Sequence, residues 1–194
     1  MITFRSFRKP KPGKRPELIQ KTIQLREIAK IPNRVIFNNM MMPMTPVISP
    51  WWFESLEQMD SEFTSLQDNK DFTDLTNELD EISEQTMWNT QEIVLPLEGI
   101  DLKAIKPKYM VSIVFKAYRG KRAQIMDEFR KTRESMDVKP AVAWNLTQDM
   151  DLINIRMPII SLSEIQTWET LSHDNRIVDL ASSMNRYIMP IIHY

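Results

Sequence analysis

Hydrophobic positions recur along this chain with two periods, and the switches between them order the elements. Tyr109 to Tyr118 is a nearly unbroken run of apolar and β-branched residues, which predicts a strand. Gly120 supplies a turn, and Ile125, Met126, Phe129 and Thr132/Arg133 then recur at steps of three to four, predicting an amphipathic helix over 122–136. Pro140 ends that connection. Ala141–Thr147 and Leu152–Ile159 read as strands joined through Gln148-Asp149-Met150-Asp151. Ser161 with Glu164 three residues on forms a capping box. The helical region it opens is predicted to run to about Tyr187 with a break near His173-Asp174-Asn175, leaving Pro190–Tyr194 as a last strand.

The first half repeats this order. Ile2–Phe7 predicts a strand, and Pro16 suits the first position of a helix over about 16–30 carrying Leu18, Ile19, Ile23, Leu25/Arg26 and Ile28 on helical steps. Arg34–Met41 and Pro46–Trp52 predict two strands. Ser55 caps a second helical region through Leu75 and Leu79 to about Ser83, and Ile93-Val94-Leu95 closes the series. Residues 96–108, with Pro96 and Pro107, read as a connector.

Short identities join the halves. Gly13-Lys14-Arg15 recurs as Gly120-Lys121-Arg122, and Val35-Ile36-Phe37-Asn38 aligns with Val142-Ala143-Trp144-Asn145, both at an offset of 107. Ser55-Leu56 aligns with Ser161-Leu162, and Asp68-Asn69-Lys70 with Asp174-Asn175-Arg176, at an offset of 106. Shared turn chemistry accounts for glycines and aspartates at loops but not for equal spacing in the same order. The expectation is a tandem duplication: a first βαββαβ repeat at 1–95, a connector at 96–108 and a second repeat at 109–194. A sheet with helices on one face needs a cover on the other. The predicted fold class is therefore α+β, two ferredoxin-like repeats forming a pseudo-symmetric α+β barrel.

The strand leading into Pro12-Gly13-Lys14 and a helix, together with the Ser-Leu opened helix and the His173-Asp174-Asn175-Arg176 break, resembles the dimeric α+β barrel superfamily. That superfamily includes antibiotic-biosynthesis-type monooxygenases and NIPSNAP-like proteins, and the resemblance spans nearly the whole chain as two copies. It implies a barrel-lined cavity. Its members include cofactor-independent oxygenases, haem-degrading enzymes and haem-binding relatives, so it names no reaction.

Composition narrows the classes. Net charge is −1, which gives no general attraction to nucleic acid or an anionic membrane. Cysteine is absent, excluding disulfide and thiolate chemistry. Three glycines leave no phosphate-cradling loop. No apolar run approaches the ~20 residues that span a bilayer, and Met1–Lys14 lacks the apolar core of a secretory signal, so a cytoplasmic location is expected. Charge is segregated: residues 1–34 carry ten basic and two acidic side chains, residues 54–101 fourteen acidic and one basic. The basic first helix is therefore expected to lie beside the acidic second helical region.

Strand alternation nominates the candidate site. Ile153, Ile155 and Met157 should face helices, turning Asn154 and Arg156 toward the barrel interior or the seam between copies. Asn38 and Asn145, taken as symmetry mates, have the opposite parity to Phe37 and Trp144, and Arg5 has the opposite parity to Ile2 and Phe4. Arg5, Asn38, Trp52, Trp144, Asn145, Asn154 and Arg156 are thus the candidate ligand-binding residues: amide and guanidinium donors in an aromatic wall, suited to a planar or anionic ligand. Trp51-Trp52-Phe53 is the densest aromatic cluster, suited to a pocket mouth or an interface and read as core for at least one tryptophan; Met40-Met41-Met42-Pro43-Met44 is suited to an adaptable apolar surface and read as a hairpin packed under the partner copy. His173 is a weak candidate haem or metal ligand, His193 lies near the C-terminus, and no spacing suits a structural zinc site. No cofactor or metal is expected, and no catalytic residue is assigned. The expected partners are a small-molecule ligand and further copies of the chain, with no nucleic acid and no membrane. The first function hypothesis is a small-molecule-binding barrel with cofactor-independent monooxygenase-like activity on an aromatic or polyketide-like substrate. The alternatives are a non-catalytic scaffold with a filled barrel, or a haem-binding relative, and whether the protein is an enzyme stays open at this point.

Overall fold

The computed structural model describes residues 1–32, 35–38, 46–168 and 175–193. Its elements are β1 (Ile2–Pro10), α1 (Arg15–Ile28), β2 (Val35–Asn38), β3 (Val47–Phe53), α2 (Leu56–Gln67), α3 (Lys70–Glu81) and β4 (Ser83–Leu95). There follow α4 (Leu102–Ile105), β5 (Tyr109–Ala117), α5 (Arg122–Glu134), β6 (Ala141–Asn145), β7 (Leu152–Ile159), a 3₁₀ helix (Leu162–Trp168), α6 (Asn175–Val178) and β8 (Ala181–His193). The strands follow one another in a closed hydrogen-bonded order, β1-β3-β2-β8-β5-β7-β6-β4, so the fold is α+β with an eight-stranded antiparallel barrel. The chain divides into a first unit, Met1–Thr90 with Ile191–Tyr194, and a second unit, Gln91–Pro190.

In the first unit, Gly13 at φ +76° turns the chain out of β1, and a proline in the first turn starts α1. One face of α1 buries Leu18, Thr22 and Leu25. Ser55 caps α2 by accepting from the Gln58 N–H at 3.2 Å, and Asn69 caps α3 by accepting from Phe72 N–H at 3.1 Å. The single helical region expected from 55 to 83 is therefore two helices, because Asn69 takes an extended conformation that ends the first and caps the next. The charge segregation is resolved within this unit: Lys21 pairs with Glu78, Arg8 with Asp80 at 3.3 Å and Lys9 with Glu84 at 2.8 Å.

The second unit packs Val111, Ile113 and Phe115 of β5, Ile125, Met126 and Phe129 of α5, and the odd-numbered residues of β7 into one apolar cluster. Phe115 and Phe129 meet edge to face with centroids 5.3 Å apart. Ile153, Ile155 and Met157 thus face the helix, as the alternation requires. Glu164 accepts from the Ser161 N–H at 2.8 Å, the expected half of a capping box, but the element it opens is a 3₁₀ helix.

The sequence reading extends helix to about Tyr187, whereas β8 begins at Ala181. Ser182, Ser183, Asn185 and Arg186 carry no strand pattern, and a ladder to β5, from Ala117↔Ala181 to Tyr109↔Pro190, sets their conformation instead. The methionine run Met40–Met44, His173 and the His173-Asp174 break lie outside the described residues.

The two units share an internal correspondence. At an offset of 107, Gly13 matches Gly120, Arg15 matches Arg122, Leu18 matches Ile125, and buried Arg26 matches buried Arg133. In the later strands the helix-facing residues are Val47, Ser49, Trp51 and Phe53 in β3 and Ile153, Ile155, Met157 and Ile159 in β7, an offset of 106. The one-residue gap therefore falls before β2, and Asn38 corresponds to Trp144, not to Asn145.

Candidate functional site

That shift corrects the placement of Asn38. Asn38 pairs with Val47 in register and accepts a hydrogen bond from Arg15 of α1, so it lies on the helix face of the first unit's sheet. Trp144 occupies the matching place in the second unit, half-buried under the Arg122 guanidinium at 4.3 Å from the ring centroid, with its indole N–H donating to Glu92 at 2.8 Å. Neither residue shares a face with the remaining candidates of its own unit. An offset of 107 carried into β2 inverts every side chain there, since strand faces alternate with period two.

The other candidates fall into two sets. In the first unit, Arg5 and half-buried Trp52 lie on the face turned away from the helices; Arg5 donates from Nε to Asn89 Oδ1 at 3.1 Å and sits 5.0 Å from the Phe7 centroid. In the second unit, Asn145, Asn154 and Arg156 share the corresponding face, all buried. Asn145 accepts from Gln91 Nε2 at 2.6 Å and donates to the Asp149 carbonyl at 3.1 Å.

A groove of about 550 Å³ lies on the helix face of the first unit, and none of the seven candidate residues lines it. Phe4, Ser6 and Arg8 of β1 form its floor beside Trp51, while Phe63 of α2, Phe72 and Asp80 of α3, and Thr86 and Trp88 of β4 complete it. The rings interlock: Phe4–Phe63 at 4.9 Å and Trp51–Phe72 at 6.2 Å are edge to face, and Trp51–Phe63 at 5.6 Å is tilted. Trp51 is thus core and wall at once, while Trp88 stands 59% exposed.

The polar end is built around Arg8, which is 8% exposed. Its Nε donates to Asp80 Oδ1 at 3.3 Å, Thr86 donates to the same oxygen at 3.0 Å, and its Nη1 donates to Ser6 Oγ at 3.4 Å. Burial pulls the Arg8 guanidinium below its usual value, and the charge and hydrogen bond of Asp80 oppose that shift. The arrangement is an aromatic slot ending in a desolvated cation with hydroxyl neighbours.

The second unit places Val111, Ile113 and Phe115 where the first has Phe4, Ser6 and Arg8, and packs them at 0–3% exposure. That contrast was the signal available in the sequence: aligned on Gly13 and Gly120, one strand carries hydroxyl and guanidinium where its counterpart carries isoleucine and phenylalanine. Among the described residues no group of three or more His, Cys, Asp or Glu could hold a metal ion. Among the described residues no helix is long and apolar enough to cross a membrane.

Fold and groove together define an α+β barrel protein with a pocket between a sheet and its covering helices. Solved structures share that fold across nearly the whole chain. A proposed monooxygenase of Fusobacterium nucleatum aligns with TM-score 0.73 at 8% identity, covering 98% of this chain and 91% of that one. An anthrone oxidase-like protein aligns with TM-score 0.66 at 12% identity, over 99% and 91% of the two chains. A proposed monooxygenase of Lactobacillus acidophilus gives 0.64 at 9% identity, over 98% and 93%. No family profile matches the sequence, and no curated protein matches it.

Proposed function

We propose that this protein binds an aromatic or polyketide-like small molecule in the groove of its first unit and oxidises it in the manner of a cofactor-independent monooxygenase. The observation that carries the reading is Arg8, a buried cation placed with Ser6 on the floor of an aromatic slot, where the matching positions of the second unit are Phe115 and Ile113. Phe4, Trp51, Phe63 and Phe72 would take the faces and edges of a planar ring system. Arg8 would hold a phenolate or enolate oxygen by a charge-assisted bond, stabilising the electron-rich form of the substrate that reduces dioxygen. Asp80 keeps Arg8 aimed and accepts from it in the free protein. The names of the fold neighbours, monooxygenase and anthrone oxidase-like, are compatible with this chemistry. The candidates on the sheet faces turned away from the helices, Arg5 and Trp52 in one unit and Asn145, Asn154 and Arg156 in the other, do not line this groove.

Titration calorimetry with a dihydroxyanthraquinone, alongside oxygen uptake with an anthrone, tests both halves. Arg8→Met is expected to weaken binding about 10- to 150-fold, the worth of one hydrogen bond to a charged group. Equal affinity of Arg8→Met and wild type would place the ligand elsewhere. Binding without oxygen uptake would leave a carrier or scaffold and refute the oxygenase half alone.

A further inference from the structure

The face of the second unit's sheet turned away from its helices holds a cation, Arg156, two of whose nitrogens have no hydrogen-bond partner among the described residues. Strand register sets Ala141 of β6, Arg156 of β7, Ser112 of β5 and Tyr187 of β8 side by side in one row. Ala143, Asn154, Val114 and Asn185 form the next row on the same face. Arg156 is 9% exposed, and among the described residues neither its Nε nor its Nη2 has a hydrogen-bond partner. It takes part in none of the ion pairs found among those residues.

The first unit shows what an arginine in this row does when the fold provides for it. Arg5 sits at the position of Ser112, opposite Pro50, and Asn89 supplies an acceptor at 3.1 Å. In the second unit the arginine has moved to the opposing strand, opposite Ser112, and the flanking positions on β6 are two alanines. Register sets small side chains on one side of the guanidinium and hydroxyl and amide groups on the other, and among the described residues no carboxylate pairs with it. Burial lowers the Arg156 guanidinium to about 10, which still leaves it protonated at neutral pH. An uncompensated buried charge is strongly unfavourable, and removing the partner of a buried pair has the same consequence. A planar, five-donor guanidinium with unmet N–H groups is matched by a two-oxygen acceptor.

We infer that Arg156, with Ser112 and Asn154 beside it, is a binding site for a small oxyanion, a carboxylate or a phosphate, separate from the groove of the first unit. The oxyanion accepts from Nε and Nη2 of Arg156, and Ser112 Oγ and Asn154 Nδ2 stand by as further donors. The site needs nothing from Arg8 and therefore stands or falls independently of the oxygenase reading.

Thermal unfolding and titration calorimetry of the full chain, with ionic strength held constant by chloride, test it with two probes, inorganic phosphate and acetate. Wild-type protein is expected to bind at least one, with its unfolding midpoint rising by about 5–10 °C at a hundred times Kd. The probe that acts tells a phosphoryl from a carboxylate ligand. R156M is expected to lose the response. N154D, which places a carboxylate two residues away on the same face, is expected to lose it too while unfolding at a higher temperature than wild type in chloride alone. The N154D arm and wild-type calorimetry keep the test decisive where R156M does not fold. Wild type showing no saturable heat with either probe would overturn the proposal. So would N154D or R156M responding as wild type does.

Discussion

Replacing Gly99 by alanine should be the most damaging single-carbon change in the chain, and its size follows from three terms. Gly99 lies at φ +78°, a left-handed conformation that costs an L residue about 1–2 kcal/mol. A Cβ built there would stand 2.2 Å from the carbonyl oxygen of Asp137 and 3.2 Å from Val138 Cα, both backbone atoms that cannot swing aside as a side chain would. Relief requires the 98–99 segment to withdraw from 137–139. That breaks the Glu98–Lys139 bridge, whose two backbone hydrogen bonds measure 3.0 and 2.9 Å and are worth about 1 kcal/mol each. Gly99→Ala should therefore cost about 3–4 kcal/mol and lower the unfolding midpoint by roughly 10 °C in a chain of this size. Gly13→Ala is the control: its φ is +76°, but nothing lies within 4 Å of the added carbon, so only the backbone term remains. The assay is thermal unfolding of both variants by circular dichroism, with the local origin confirmed by faster amide exchange at Glu98 and Lys139. Equal midpoints for the two variants would refute the steric part of the reasoning.

Three other perturbations follow from the same structure. Phe115 is fully buried against Phe129, so Phe115→Ala should leave a cavity and cost about 3–5 kcal/mol, read by urea denaturation; a loss under 1 kcal/mol would mean that the second unit's core is not packed as described. Ser55→Ala removes the acceptor for the Gln58 N–H and should cost about 1 kcal/mol, while Ser55→Asp should restore it. The Lys116 ammonium, hydrogen-bonded at 2.8 Å, holds the Asp149 carboxyl below its ordinary range, so its stabilising effect is present above that range and is lost as pH falls through the depressed value. Asp149→Asn should accordingly be less stable than wild type at neutral pH, the gap closing in acid; a gap independent of pH would assign the effect to packing.

Fold class was legible because it rests on periodicities. The apolar set Ile153, Ile155 and Met157, the turn at Gly120, and the caps at Ser55 and Ser161 are local signals with local causes, and each appears where the pattern puts it. The start of β8 was not legible, because Ser182 to Arg186 adopt strand geometry only through their ladder to β5. The candidate site was legible in part. Arg5, Asn154 and Arg156 were assigned to the face away from the helices from parity within their own strands, and Asn145 as the symmetry mate of Asn38; these four side chains lie on that face. Asn38 was assigned by alignment across the halves, and a gap placed one loop too late turned it to the wrong face. The groove was missed because Phe63, Phe72 and Asp80 come from helices whose rotation about their axes no local pattern states to the needed few degrees.

The sequence alone determined what depends on near neighbours along the chain: the order of elements, their caps and turns, the apolar face of each strand and the separation of basic from acidic segments. Tertiary structure decided which distant groups meet. Arg8 becomes a desolvated cation in an aromatic slot only because α2, α3 and β4 close over β1, while Nε and Nη2 of Arg156 find no hydrogen-bond partner among the described residues, in a row where strand register sets Ser112 and Ala141 beside it. Burial and Coulomb energy depend on distance through space, and a chain that returns on itself across eighty residues sets that distance only when folded.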